Sequence, residues 1–66
     1  MSQLNDLKIR IEEKIAADGL DPVATRGKIG LKSGRLLSFI NATTPDDPAA
    51  IAKMKIAIKE VLNINV

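Results

Sequence analysis

Two stripes of aliphatic residues, one near each end of the chain, restrict what it can fold into. Leu4, Leu7, Ile11 and Ile15 recur at the i, i+3, i+7, i+11 spacing of one face of an α-helix. Ile51, Met54, Ile58 and Val61 repeat the pattern, widened by Ala50, Ala57 and Leu62. Each stripe has to be buried against something, and no strand pattern offers an alternative. Lys55-Ile56-Ala57-Ile58-Lys59 alternates briefly, but the longer helical period absorbs it. The chain therefore reads as all-α, a single compact domain over residues 1–66.

Punctuation residues divide the domain into four expected helices. The first covers about 3–18, with Ser2 as N-cap, Gly19 just past the end and Leu20 placed for the apolar contact that accompanies such an ending. Asp21-Pro22 opens the second, about 22–29, since Asp suits an N-cap and Pro the first helical position. Val23, Ala24 and Ile29 are expected to face inward there, and Gly30 to form the turn that ends it. A third helix, about 33–41, has Leu36, Leu37 and Ile40 as its apolar face, with Phe39 beside it. Asn41-Ala-Thr-Thr-Pro-Asp-Asp reads as a loop, and Asp47-Pro48 opens the fourth helix, about 48–63. Residues 64–66 are a frayed or packed tail.

Composition narrows the chemistry. Cysteine and histidine are both absent, which removes disulfides, thiolate chemistry and the commonest acid–base group and metal ligand. The serines lack a partner base, and Asp46-Asp47 reads as loop and cap rather than a carboxylate pair. No catalytic residue, metal site, cofactor or small-molecule substrate is expected, and the chain reads as a non-enzyme. Its longest apolar runs are too short to span a membrane. Met-Ser-Gln-Leu-Asn-Asp-Leu has no basic region followed by an apolar one, so the expectation is a cytoplasmic protein.

Net charge is only +2, but it is unevenly spread. Residues 1–21 hold three cations against five acids, and residues 46–66 three against three. Residues 22–45 hold Arg26, Lys28, Lys32 and Arg35 and no acid. The same stretch has a glycine-centred helix–turn–helix spacing: Ile29 before Gly30, Leu31 after it, Leu36 six residues on, and Ile40 and Asn41 ten and eleven on. With Thr44-Pro45 and the Ile51/Met54/Ile58 helix, it resembles the lambda-repressor/Cro-like helix–turn–helix family over residues 21–62. The resemblance implies double-stranded DNA as partner, and a dimer. It also places Arg26 where the family has a small residue, and Ser33, Gly34, Leu37 and Ser38 where the family reads bases. Glycine and leucine offer no hydrogen bond to a base edge, so phosphate contact through Arg26, Lys28, Lys32, Ser33, Arg35 and Ser38 is the expected mode. The alternative is a helical protein–protein interaction or assembly module that binds no nucleic acid; Leu37, Phe39 and Ile56 lie off the main stripes and either widen the core, the favoured reading, or are surplus apolar positions for such a partner.

Overall fold

The computed structural model describes residues 3–35, 37 and 45–66. They form three helices, α1 (Gln3–Asp18), α2 (Pro22–Lys32) and α3 (Pro48–Leu62), with no strand among the described residues.

Helix α1 buries the four residues of its stripe, Leu4, Leu7, Ile11 and Ile15. It ends as expected. Gly19 takes a left-handed φ of 63°, which glycine adopts at little cost. The Leu20 amide then donates to the Ile15 carbonyl at 3.0 Å, and Leu20 packs against the core. The expected N-cap, Ser2, lies outside the described residues. The first amides of α1 are met from across the fold instead: Asp46 Oδ1 accepts from the Gln3 N–H at 2.8 Å and the Leu4 N–H at 3.4 Å. A carboxylate there also suits the positive end of the helix dipole. Its neighbour Asp47 caps α3, its side chain accepting from the Ala49 N–H at 3.4 Å. The two adjacent acids thus serve two different helices.

Helix α2 is longer than expected, and the expectation that Gly30 ends it is wrong. Gly30 lies inside the helix, which continues to Lys32. The left-handed residues come later, at Gly34 (φ 72°) and Arg35 (φ 66°). The Gly34 amide donates to the Leu31 carbonyl at 3.3 Å, and the Arg35 amide donates to the Gly30 carbonyl. This paired closure satisfies carbonyls the last turn leaves open. Ser33–Arg35 form a turn, so a third helix beginning at 33 is not what the chain builds there. The count of four helices gives way to three among the described residues. Leu37 is described; the remainder of the expected third helix, Leu36 and residues 38–41, lies outside the described residues.

Helix α3 packs against both others and supplies Met54, Ala57, Ile58 and Leu62 to the core. Asn63 closes it in the left-handed region, φ 55°, where asparagine is tolerated. Behind it Ile64 rests on the core, and the Arg10 guanidinium donates to the Asn65 carbonyl at 3.4 Å. The core gathers α1's stripe, these four α3 residues, Ile29 of α2 and Leu37. Leu37 is buried, as expected of a residue on the apolar face of its segment, and so is neither a surplus apolar position nor a base-facing one. Val23 and Ala24, expected to face inward, are exposed. Thr25 takes the inward position instead, one helical turn before Ile29.

Candidate interaction surface on the second helix

Helix α2 has two opposed faces. Thr25, Ile29 and, just past its end, Ser33 recur at i, i+4, i+8 and are buried. At 100° per residue, the opposite face carries Val23, Gly27 and Leu31, again at i, i+4, i+8, with Ala24 beside them. Val23 is 77% exposed and Leu31 71% exposed, the two most exposed large apolar residues described. Between them, a side chain built at Gly27 would meet nothing within 4 Å.

The cations of the central stretch sit along the borders of this face, not in one patch. Arg26 leans toward α1, where its Nε and Nη2 donate to Glu12 Oε1 and Oε2, both at 2.6 Å. Lys32 leans toward α3, donating from Nζ to Glu60 Oε2 at 3.0 Å. Lys28 is on the Lys32 side, near Thr25 and Glu60. Arg35 is on the Arg26 side, where Lys8, Glu12, Arg26, Gly27, Gly30 and Arg35 border a shallow depression. A run without acids in sequence thus acquires two acids in space, one from each neighbouring helix.

The Arg26 hydrogen bonds hold the Glu12 carboxyl below its ordinary range, against a smaller opposing effect of burial. Hydrogen bonding to Glu12 likewise raises Arg26. Because the Glu12 value is depressed in the fold, the stability it contributes is present above the unfolded-state value and is lost as pH falls through the folded one. Both side chains are more than a third exposed, so solvent screens most of that contribution. In Arg26→Gln the carboxyl should titrate at higher pH, close to an ordinary glutamate, as followed by the NMR shift of the Glu12 carboxyl carbon. An unchanged midpoint would show that the pair does not form in solution.

Of the remaining expected site residues, Ser33 is buried and its hydroxyl donates to the Gly30 carbonyl at 3.2 Å, so it closes the helix end and presents nothing outward. Ser38 lies outside the described residues. The outward face was not among the expectations: spacing groups Val23, Gly27 and Leu31 on one side of a helix, as it groups Thr25, Ile29 and Ser33 on the other, without saying which side is covered. Among the described residues, no three His, Cys, Asp or Glu side chains gather to hold a metal ion, and no helix is long and apolar enough to cross a membrane. The chain matches no protein-family model, no curated protein and no solved structure.

Proposed function

We propose that the chain is a small helical protein-interaction module whose binding surface is the outward face of α2. One observation carries the reading: Val23 and Leu31 are exposed on the same face, two turns apart, with open Gly27 between them. Apolar residues scattered singly over a surface are ordinary, and Ile9 and Ile56 are of that kind. Val23 and Leu31 differ in sharing one rigid helix face, and apolar residues grouped on one face mark association. The helix is held from behind by Ile29 and Thr25 and from both sides by ion pairs to α1 and α3, so the face is preorganised.

A second reading, nucleic-acid binding of the helix–turn–helix type, draws on the depression where Lys8, Arg26 and Arg35 outnumber Glu12. Such an edge suits phosphate oxygens and offers no base-reading side chain. The split placement of the four central cations, and the two acids among them, favour the protein-interaction reading.

Both readings are tested by one experiment. A photo-activatable side chain is placed at Ala24, on the edge of the face, and irradiated in cells making the full chain. The interaction reading expects a protein adduct at Ala24 that disappears in Val23→Asp/Leu31→Asp and is absent when the probe is moved to Glu13. An adduct whose mass falls on nuclease treatment supports the nucleic-acid reading instead. No adduct at Ala24 overturns the proposal.

A further inference from the structure

Resting on that reading of the α2 face, we infer that its partner is an acidic protein segment. Its apolar side chains cover Val23 and Leu31 while its carboxylates meet Lys8 and Arg35 in the adjoining depression. Exposure sets the apolar part of the contact, since Val23 and Leu31 are the large apolar residues that α2 leaves open. Eight residues apart on a helix, they stand about 12 Å from each other along its axis. A short peptide segment covers that span.

The charge of the partner follows from the depression between α1 and α2, which is continuous with this face. Leu31 and Gly27 belong to both. A Cβ built at Gly27 or Gly30 would meet nothing within 4 Å, so this wall of the depression is unfilled. Three cations border it, Lys8, Arg26 and Arg35, against one acid, Glu12. Glu12 is already held by Arg26. Lys8 and Arg35 form no ion pair among the described residues, and Arg35 is exposed. The other border agrees, since Glu60 is engaged by Lys32 and Lys28 stands beside them. Counting Asp21, which precedes α2 on the side of Thr25 and Ile29, five cations stand around this helix with three acids. The rest of the chain has five cations and five acids. The whole net charge of +2 is therefore gathered where the open apolar residues are.

A partner of like charge would set cation against cation here. A phosphate backbone would satisfy Lys8 and Arg35, but it would also lie over Val23 and Leu31, which offer its oxygens no donor. A segment with both apolar and acidic side chains leaves neither group unmet. Apolar burial then supplies affinity, and the charges at the edge set orientation and speed of encounter. The contact is small, so the expected Kd lies within about 10 μM to 1 mM.

Fluorescence anisotropy with the full chain and three synthetic peptides tests the inference. The peptides share leucines at i, i+4 and i+7 and differ in carrying glutamate, glutamine or lysine between them; duplex DNA is the fourth probe. The glutamate peptide should bind at least about tenfold more tightly than the lysine peptide at low salt, and the gap should narrow as salt rises. Val23→Asp/Leu31→Asp should abolish binding. Arg35→Glu should weaken the glutamate peptide at least about threefold, and Lys8→Gln/Arg35→Glu should reverse the preference toward lysine. Lys55→Glu makes the same change of charge beside Asp6 and Arg10, on another side of the molecule, and should have no such effect. Circular dichroism on each variant verifies folding. No binding of the glutamate peptide at about 1 mM, equal binding of all three peptides, or equal weakening by Lys55→Glu would overturn the inference. Duplex DNA bound as tightly as the glutamate peptide, and indifferent to Leu31→Asp, would overturn it in favour of nucleic acid. If the acidic preference is missing while the Ala24 adduct still depends on Val23 and Leu31, the acidic partner is excluded and the interaction surface stands. If the adduct is missing as well, both fail.

Discussion

Replacing Ile58 by alanine is expected to remove a large share of the protein's stability, whereas the same change two residues earlier, at Ile56, is expected to be nearly silent. Ile58 is fully buried among α1, α2 and α3, and Ile56 is 59% exposed on the other side of the same helix. Truncating a buried isoleucine loses its transfer free energy and leaves a cavity, together about 2–5 kcal/mol. A chain of 66 residues has little to lose. At about 0.05–0.15 kcal/mol per residue its whole stability is roughly 3–10 kcal/mol, and small domains bury a low fraction of their surface. Ile56→Ala removes surface that water already touches and improves helix propensity, so its effect stays within about 0.5 kcal/mol. Urea titrations followed by circular dichroism decide the matter. Equal effects at the two positions would mean that α3 does not present the face described.

The second large effect is a reversal of sign between two glycines four residues apart. Gly34→Ala is expected to destabilise the chain by about 1–2 kcal/mol, because residue 34 has a φ of 72° and a Cβ there crowds the following carbonyl. Gly30→Ala is expected to stabilise it by up to about 1 kcal/mol, since Gly30 is helical and an added Cβ meets nothing within 4 Å. If Gly30 were the turn of a helix–turn–helix, as its spacing implies, the signs would exchange. Thermal unfolding of the two single variants therefore separates the two local architectures directly.

That reversal also shows why the sequence misplaced the turn. Gly30 and Gly34 are chemically identical, and both are followed by residues compatible with a new helix. Nothing local favours one over the other by more than about 1 kcal/mol. What selects Gly34 is the helix end built around it: the Ser33 hydroxyl and the Arg35 amide both close on the Gly30 carbonyl. Ile29 is also drawn fully into the core, which holds the preceding turn helical. The inward expectation for Val23 and Ala24 failed for a related reason. With α2 extended, the buried stripe is Thr25, Ile29 and Ser33, and a threonine among apolar residues is a weak signal beside a valine. The Asp-Pro starts, the Gly19 ending and the stripes of α1 and α3 were all readable. Each rests on contacts within one helix or on a period long enough to outweigh local ambiguity.

The amino-acid sequence by itself determined that this chain is helical, where two of its long faces are buried, and that the two Asp-Pro pairs start α2 and α3. These follow from spacing and from backbone preferences that act within a few residues. Tertiary structure alone decided the character of the surface. Glu12 and Glu60 lie far in sequence from Arg26 and Lys32, yet they are paired with them at 2.6 and 3.0 Å, and an acid-free run is no longer a basic patch. Charge in a folded chain is summed over neighbours in space, with a screening length of about 8–10 Å. Which side of α2 is left open, and hence the Val23–Gly27–Leu31 face, depends on how α1 and α3 close on Ile29, and no single helix encodes that.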